Sequence, residues 1–182
     1  MSDYRRWYVA GGTVFFTLVT YGRRPLFEHE SARDMLRCSM RAAQASLPFE
    51  TVAMVLLPDH LHTIWTLPPG DYDFSTRWKK IKRAFTVHWL ESGGSEAAVT
   101  SAQQQRGSRG IWQRRFYEHQ VRDEEELSAL CDYIHYNPVK HGYARSPWDW
   151  LPSTFRRFVE LGHYPQDWGR NEPLHISQFD FE

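Results

Sequence analysis

The first half of the chain alternates between β-rich runs and a segment with helical spacing. Residues 13–21 are dense in Val, Thr and Phe, which predicts a strand. A helix follows, capped by Ser31 and stopped by Pro48. Its apolar residues recur at helical steps: Leu36, Met40, Ala43 and Leu47. Residues 49–57 and 60–67 then predict two strands, which the Pro-Asp turn between them joins as a hairpin.

The second half predicts two helices separated by a loop and a short strand. Ser75 caps the first helix. Its apolar stripe is Trp78, Ile81, Phe85 and Trp89. Residues 91–110, with Gly, Ser and consecutive Gln, are typical of a long mobile loop, and residues 111–121 contain a strand. Asp123 caps the second helix, which ends at Asn137-Pro138.

The predicted order is strand, helix, hairpin, helix, strand, helix. This order favours an α+β fold, ferredoxin-like or RRM-like, with a mainly antiparallel sheet and helices packed on one face. We expect residues 1–145 to form this domain. Residues 146–182 begin rich in Trp and Pro and carry only acidic charge from Asn171 onward. They predict a C-terminal tail that packs back on the domain, with a short helix near 153–162.

Composition narrows the class of protein further. The 182 residues include 22 basic and 22 acidic side chains, which excludes a binder that relies on bulk positive charge. Only Cys38 and Cys131 are present, which excludes a disulfide scaffold and a cysteine zinc finger. No apolar run approaches the ~20 residues that a membrane span needs. We therefore expect a cytoplasmic protein with no membrane partner.

The first sign of chemistry is the pair His60 and His62 on the second hairpin strand. Alternate residues of a strand point to the same face, so the two imidazoles project together while Leu61 faces the other way. Two neighbouring neutral imidazoles are suitable metal ligands. A bare His-x-His is more often a turn cap beside a surface histidine, so the pair needs support from elsewhere in the chain.

A second cluster lies on the last long helix. Tyr133 and Asn137 are four residues apart, so they lie one turn apart on the same face. They flank the apolar stripe on one side, and His135 flanks it on the other. Asn137 is therefore better placed than His135 to join the surface that Tyr133 faces. Taken alone, Tyr133 is an ordinary aromatic residue at the edge of a core.

Basic and aromatic residues are interleaved in two segments, the helix after Ser75 and the region around residues 106–117. Phosphates attract Lys and Arg, and unpaired bases stack on aromatic rings, so both segments are candidates for nucleic-acid binding. A solvated helix face beside core aromatics is the competing interpretation. The basic residues are Arg77, Lys79, Lys80, Lys82, Arg83, Arg106, Arg109, Arg114 and Arg115.

Together these residues suit phosphodiester chemistry on a single strand. A divalent ion, Mg²⁺ or Mn²⁺, would be held by His60 and His62, with the amide oxygen of Asn137 as a third donor. It would polarise a non-bridging phosphate oxygen. Tyr133 would attack phosphorus and become a covalent phosphotyrosine. We therefore predict Tyr133, His60 and His62 as the catalytic residues.

Several motifs also resemble those of the REP-associated tyrosine transposases, relatives of the single-tyrosine HUH (His-hydrophobic-His) transposases of insertion sequences. The segment LPDHLH at 57–62 is followed far downstream by DYIHYNPVKHG at 132–142. Three further blocks fit the same family: YRRWY at 4–8 with GGT at 11–13, FSTRWKKIK at 74–82, and IWQRRFYEH at 111–119. The resemblance spans roughly residues 4–168, and the motifs in this order are far more specific than any one alone.

The resemblance implies a ferredoxin-like HUH nuclease that nicks and rejoins single-stranded DNA at repeated extragenic palindromes with the help of a divalent metal. His60 and His62 match the HUH pair, and Tyr133 matches the nucleophile. Asn137 matches the third metal-ligand position, which is commonly Gln in the mobile relatives. The implied products are a 5′-phosphotyrosine and a free 3′-hydroxyl.

The implied partner is a DNA hairpin that carries a short 5′ tetranucleotide, in a bacterial cytoplasm and at the nucleoid. Arg5 and Arg6 are expected to contact the tetranucleotide or the foot of the hairpin. Basic residues of the 77–83 helix are expected to contact its stem. A monomer is favoured, with a homodimer left open, because REP-associated members can be monomers with a C-terminal tail near the site.

Three other functions remain open. A DNA-binding regulator could use the same surface without cleaving. A metal hydrolase could activate water with no covalent step, and it would tolerate Tyr133→Phe. An RNA-binding module of RRM-like outline is disfavoured, because its aromatic RNP1 motif is missing.

Overall fold

The computed structural model describes residues 10–173 together with Ile176, Phe179 and Phe181. The strands are β1 (Thr13–Val19), β2 (Glu50–Leu56), β3 (His60–Thr66) and β4 (Tyr117–Gln120). The α-helices are α1 (Glu30–Ser46), α2 (Phe74–Glu91), α3 (Ser101–Gln105), α4 (Glu124–Lys140) and α5 (Phe155–Glu160). Short 3₁₀ turns lie at Tyr21–Arg23, Leu26–Glu28 and Pro147–Asp149. No helix of the described residues is long and apolar enough to cross a membrane.

The four strands form one antiparallel sheet in the order β2-β3-β1-β4. The hairpin of β2 and β3 is confirmed, and β1 lies on the other side of β3. The register of this central pair places Thr17 opposite His62 and Val19 opposite His60. A residue of β1 therefore lies directly beside each histidine.

Both faces of the sheet are covered by helices. On β1, Phe16 faces α1 and α2, whereas Phe15 faces α4, and both rings are completely buried. The α+β class with an antiparallel sheet is confirmed. The prediction that the helices share one face is wrong, because a strand that is apolar on both sides needs a layer on each of them.

The beginnings of the helices differ in part from the prediction. α1 follows His29 as its N-cap, and α2 follows Asp73, whose side chain accepts a hydrogen bond from the Thr76 amide at 2.9 Å. Ser31 and Ser75, the predicted caps, lie inside the first turns. The cap of α4 is confirmed: Asp123 accepts a hydrogen bond from the Glu126 amide at 2.8 Å.

α4 runs through Pro138 and continues to Lys140, so the predicted end at Asn137-Pro138 is wrong. Proline removes only its own amide donor, and the next amides remain bonded. Gly142 has φ +72° and donates to the Val139 carbonyl at 2.9 Å, while Tyr143 donates to the Pro138 carbonyl at 2.9 Å. This is a Schellman motif, and it ends the helix one turn later than the proline alone would.

The segment at 91–110, predicted as a mobile loop, is held against the domain. It contains α3, where Thr100 and Gln103 form a capping box. The guanidinium of Arg24 donates to the carbonyls of Ser95 and Gly110 at 3.0 and 3.2 Å. These hydrogen bonds join both ends of the segment to the region after β1. The local sequence does not reveal such long-range contacts.

Residues 150–157 complete the outer edge of β2. Leu56 donates to the Pro152 carbonyl and Thr154 donates to the Met54 carbonyl, each at 2.8 Å. The indole of Trp150 also donates to the Leu56 carbonyl at 3.0 Å. These bonds satisfy an edge that would otherwise be open to pairing with another strand.

Arg77 is a structural residue. It is only 1% exposed, and its guanidinium donates to the Asp71 carboxylate at 2.6 Å. It also donates to the carbonyls of Leu47 and Pro48 at 3.2 and 2.7 Å, just beyond the end of α1. The predicted DNA contact of Arg77 is therefore wrong, because its donors already join α1 to the start of α2.

We expect Arg77→Met to lower the free energy of unfolding by about 3 kcal/mol, since Asp71 and the three carbonyls of Leu47, Pro48 and Asp73 would lose a buried donor. Arg83→Met, an exposed site on the same helix, should cost less than about 0.5 kcal/mol. Urea unfolding of both variants measures the difference. Equal losses in the two variants would contradict the structural role.

Glu126 joins β4 to the first turn of α4. Its carboxylate lies 3.0 Å from His119 Nε2 and accepts from the Arg122 guanidinium at 2.8 Å. Burial alone would raise the pKa of Glu126, but the hydrogen bonds from Arg122 and His119 outweigh it and lower this pKa to about 2. The side chain is therefore a carboxylate in the folded protein at neutral pH.

This ion pair predicts a loss of stability in acid. The pKa of Glu126 is about 2 in the fold against an ordinary value of 4.5, so its contribution is complete above pH 4.5 and fades as the pH falls toward 2. Glu126→Gln should lower stability at pH 7 and flatten its decline in acid, whereas Glu125→Gln, exposed in the same turn, should keep the decline of the wild type. Urea midpoints between about pH 7 and pH 3 test this. Identical curves for Glu126→Gln and the wild type would contradict it.

Candidate functional site

His60 and His62 lie side by side under α4. Their ring centroids are 4.9 Å apart, and the residues are 1% and 0% exposed. Strand alternation on β3 places both rings on the same face, as the sequence predicts. The burial excludes the surface histidine that the competing interpretation requires.

Each imidazole is held through its Nδ1 atom. His60 Nδ1 lies 2.6 Å from the Asp59 carboxylate, and His62 Nδ1 lies 2.9 Å from the Thr17 hydroxyl. Both oxygens can accept from an Nδ1–H, the tautomer that leaves the lone pair on Nε2. Both Nε2 atoms are buried, and neither has a hydrogen-bond partner among the described residues.

The electrostatics keep these groups in the matching charge states. Burial lowers the pKa of His62 well below its ordinary value, and the nearby positive charge of Lys140 adds to this effect. Burial would raise the pKa of Asp59, but hydrogen bonds from His60 and Arg23, together with the charge of Arg23, hold this pKa below the ordinary value. At neutral pH the imidazole of His62 is therefore uncharged, with a lone pair available on Nε2, and Asp59 remains a carboxylate.

One face of α4 closes over the histidines. The ring of Tyr133 lies 5.2 Å from that of His62, and the ring of His141 lies 5.6 Å from that of His60. Asn137 is four residues from each of them on the same face, so it lies between these two contacts. Both atoms of its side-chain amide are buried without a hydrogen-bond partner among the described residues.

His135 faces away from this cluster, as predicted. Its Nε2 lies 2.9 Å from the Thr154 hydroxyl, and its ring packs on Phe155 and Tyr164. Tyr164 in turn donates to the Asp132 carboxylate at 2.6 Å. These contacts hold the back of α4 against the C-terminal segment, and they leave Tyr133 and Asn137 on the side of the histidines.

The buried donors at the site fit a divalent metal ion. Among the described residues, no group of three or more His, Cys, Asp or Glu side chains could hold one. The fitting donors are therefore the Nε2 atoms of His60 and His62 and the amide oxygen of Asn137. Buried polar atoms are normally paired, and an ion would satisfy these. Three protein donors also leave coordination positions for a substrate.

Sequence reasoning missed four residues of the site. Thr17 and Asp59 orient the imidazoles, and the strand register and the turn place them there. Lys140 places its ammonium 5.3 Å from the centroid of the Tyr133 ring. His141 lies two turns after Tyr133, so helical spacing could have found it had the helix not been ended at the proline.

The predicted DNA contacts are not gathered at this site. Arg5 and Arg6 lie outside the described residues. α2 covers the sheet face opposite the histidines. Lys82 on this helix is largely buried, and burial lowers its pKa to about 8. Its ammonium donates to the Gln113 carbonyl and lies over the Trp112 ring. The exposed cations of the predicted set are Lys79, Lys80, Arg83, Arg106, Arg109, Arg114 and Arg115.

Aromatic residues near the end of the chain cover Tyr133. Phe181 packs on Tyr133 and on Phe15, with ring centroids 5.5 and 4.8 Å apart, and Phe179 lies 6.1 Å from Tyr133. Tyr133 is 1% exposed under these rings. A phosphate that reaches its hydroxyl must therefore pass or displace them.

A groove of about 570 Å³ runs along the first turns of α4. Most of its charged lining is acidic: Asp123, Glu125, Glu126 and Asp132. Carboxylates repel phosphate, so this groove does not suit a nucleic-acid strand. The cationic side of α4 is its other end, at Lys140.

Comparison with known proteins identifies the family of the chain. A family model described as IS200-like transposase matches residues 9–137. An Escherichia coli K12 protein described as a REP-associated tyrosine transposase is 44% identical over 168 residues, covering 92% of this chain and 91% of the relative. A Haemophilus influenzae relative is 40% identical over 177 residues, covering 97% of this chain and 98% of its own.

The fold has a close counterpart among solved structures. A REP-associated tyrosine transposase bound to a REP hairpin superposes with a TM-score of 0.76 at 40% identity, and the match covers 96% of both chains. Both the resemblance in motifs and the α+β fold are thereby confirmed. The chain belongs to the REP-associated tyrosine transposases, within the IS200-like transposase family.

Proposed function

We propose that this transposase cuts and rejoins single-stranded DNA at a REP-type hairpin through a covalent link to Tyr133. The observation that carries the proposal is the arrangement of Tyr133 beside two imidazoles whose Nε2 atoms are buried with no hydrogen-bond partner in the described chain. A hairpin partner is supported by the related solved structure, which was bound to a REP hairpin.

His60, His62 and Asn137 are the proposed metal ligands. A divalent ion held there, Mg²⁺ or Mn²⁺, would supply Lewis-acid polarisation of a non-bridging phosphate oxygen. Asp59 and Thr17 hold the imidazoles with their Nε2 atoms directed away from the strand, so the donors are oriented before the ion binds.

Tyr133 is the proposed nucleophile. Its phenolic oxygen bonds to phosphorus while the bond from phosphorus to the 3′ oxygen breaks. The phenolic proton passes to water, and the departing 3′ oxygen takes up a proton from water to become a hydroxyl. The ammonium of Lys140, near the Tyr133 ring, favours the negative charge that develops on the attacking and phosphoryl oxygens. Attack by a 3′-hydroxyl on the phosphotyrosine reverses the step and rejoins the strand.

A hydrolase that activates water and a regulator that no longer cleaves are the remaining candidates. The close packing of Tyr133 on His62 favours the tyrosine reaction over the first, because a water nucleophile has no need of a phenol at that position. The unpaired Nε2 atoms argue against the second, since a protein that only binds DNA gains nothing from burying them.

We expect Tyr133→Phe to abolish a metal-dependent protein–DNA adduct while hairpin binding persists. The substrate would be a labelled hairpin oligonucleotide whose 5′ flanking tetranucleotide is randomised. Denaturing gels would compare both proteins with Mn²⁺, with Mg²⁺ and with chelator. Tyr136→Phe, a tyrosine on the same helix, is the matched control and should form the adduct normally.

Other outcomes separate the alternatives. Cleavage by both proteins without an adduct identifies the hydrolase. Tight binding with no cleavage under any metal identifies the regulator. An adduct that persists in chelator contradicts the metal site, and His60→Ala should then retain activity.

The exposed basic residues of α2 are the proposed contacts to the hairpin stem. Replacing Lys79, Lys80 and Arg83 together by Glu should weaken hairpin binding and make its dependence on salt shallower, by about one unit of slope for each phosphate that is no longer neutralised. An unpaired oligonucleotide with the same 5′ flank is the control, because it lacks a stem. Unchanged hairpin affinity and slope would show that the stem lies elsewhere.

A further inference from the structure

Tyr143 is a large aromatic residue left on the surface next to the candidate site. Its side chain is 47% exposed. Other exposed aromatic residues occur in the chain, but Tyr143 belongs to a row of rings that leads to the metal-ligand position. His141 lies 5.6 Å from His60, Tyr143 lies 5.7 Å from His141, and Trp150 lies 5.8 Å from Tyr143, measured between ring centroids.

The outer rings of this row are nearly parallel. The planes of Tyr143 and His141 differ by 24°, and those of Tyr143 and Trp150 differ by 28°. His60 and His141 instead meet at 74°, edge to face. The row therefore changes from an edge-to-face contact at His60 to nearly parallel rings at His141, Tyr143 and Trp150, and Tyr143 is the half-exposed member of that stack.

Hydrogen bonds hold the backbone of Tyr143 and the side chain of Trp150 in place. The Schellman motif at Gly142 sets the direction of the chain at Tyr143, whose amide donates to the Pro138 carbonyl at 2.9 Å. The indole of Trp150 donates to the Leu56 carbonyl at 3.0 Å, at the end of β2. A ring fixed in this way binds a planar ligand at a low cost in side-chain entropy.

The charges around the stack suit a nucleic-acid strand. Lys140 lies one residue before His141, and Arg145 is exposed two residues after Tyr143. No acidic side chain occurs between them in the sequence. A flat aromatic surface beside cations is the combination that binds single strands, with rings for the bases and cations for the phosphates.

We propose that Tyr143, supported by His141 and Trp150, is the stacking platform for an unpaired base that flanks the scissile phosphate. The inference rests on the proposed function and adds to it a binding subsite for one nucleotide. Stacking is independent of base identity, so the platform positions the strand and leaves the choice of sequence to other contacts. It acts by holding the sugar-phosphate chain in line between Tyr133 and the histidines.

Equilibrium binding to modified oligonucleotides tests the platform. The parent protein would be Tyr133→Phe, so that no substrate is consumed, and the probe would be the tightest-binding hairpin of the randomised pool. Tyr143→Ala in this background should raise the Kd roughly tenfold, the usual effect of losing one base stack. Tyr143→Phe keeps the ring and should stay within about twofold of the parent.

A series of probes with a single abasic nucleotide, moved along the flank, locates the stacked base. One abasic position should weaken binding by the parent as much as Tyr143→Ala does, and at that position Tyr143→Ala should have no further effect. A merely structural role for Tyr143 would instead weaken binding equally on every probe.

Two results overturn the platform alone, and a third overturns it together with the proposed function. The first is an unchanged Kd for Tyr143→Ala when the parent binds the hairpin well. The second is a loss of affinity in Tyr143→Ala that persists on every abasic probe. Failure of the parent to bind any hairpin overturns the proposed function and the platform together. Thermal unfolding of both Tyr143 variants, each with the midpoint of the parent, excludes misfolding as the cause of a loss.

Discussion

The pairing of β1 with β3 positions both the helical layers and the two histidines. It aligns Thr17 with His62 at the centre of the sheet, and it makes both faces of the central strands apolar or buried. Two sheet faces that must be shielded from water require two helical layers. α1 and α2 form one layer and α4 forms the other, so the helix that carries Tyr133 packs against the face that carries the histidines.

Burial gives this face its chemistry as well as its stability. An imidazole removed from water resists protonation, and one whose Nδ1 is held by an oxygen presents its lone pair at Nε2. The two Nε2 atoms and the Asn137 amide remain unpaired within the described chain, although buried polar groups without partners destabilise a fold. That cost is offset by apolar packing around the site, where Phe15 and Ile134 are completely buried. Such a local conflict with stability is expected at a functional site.

The C-terminal segment holds α4 in place. Thr154 bonds to the edge of β2 and to His135 on α4, and Tyr164 bonds to Asp132. These residues form one buried polar network behind the helix, and packing against it sets the side that Tyr133 presents. At the far end of α4, the Schellman motif adds a turn beyond Pro138 that brings His141 beside His60. The same turn places the ring of Tyr143 beside that of His141.

Local patterns in the sequence were sufficient to predict the strands, most of the helices and the side chains able to do the chemistry. Alternation on β3 put His60 and His62 on one face, and helical spacing put Asn137 with Tyr133, because both periodicities are local properties of the backbone. Family motifs connected these residues, but the way in which they meet depends on long-range packing. The strand register selected Thr17, and packing showed that Arg77 is buried. Hydrogen bonds beyond Pro138 extended α4. Because β1 is apolar on both faces, α4 packs on the sheet face opposite to α1 and α2. Each of these depends on contacts between residues far apart in the chain, whose energies no local pattern contains.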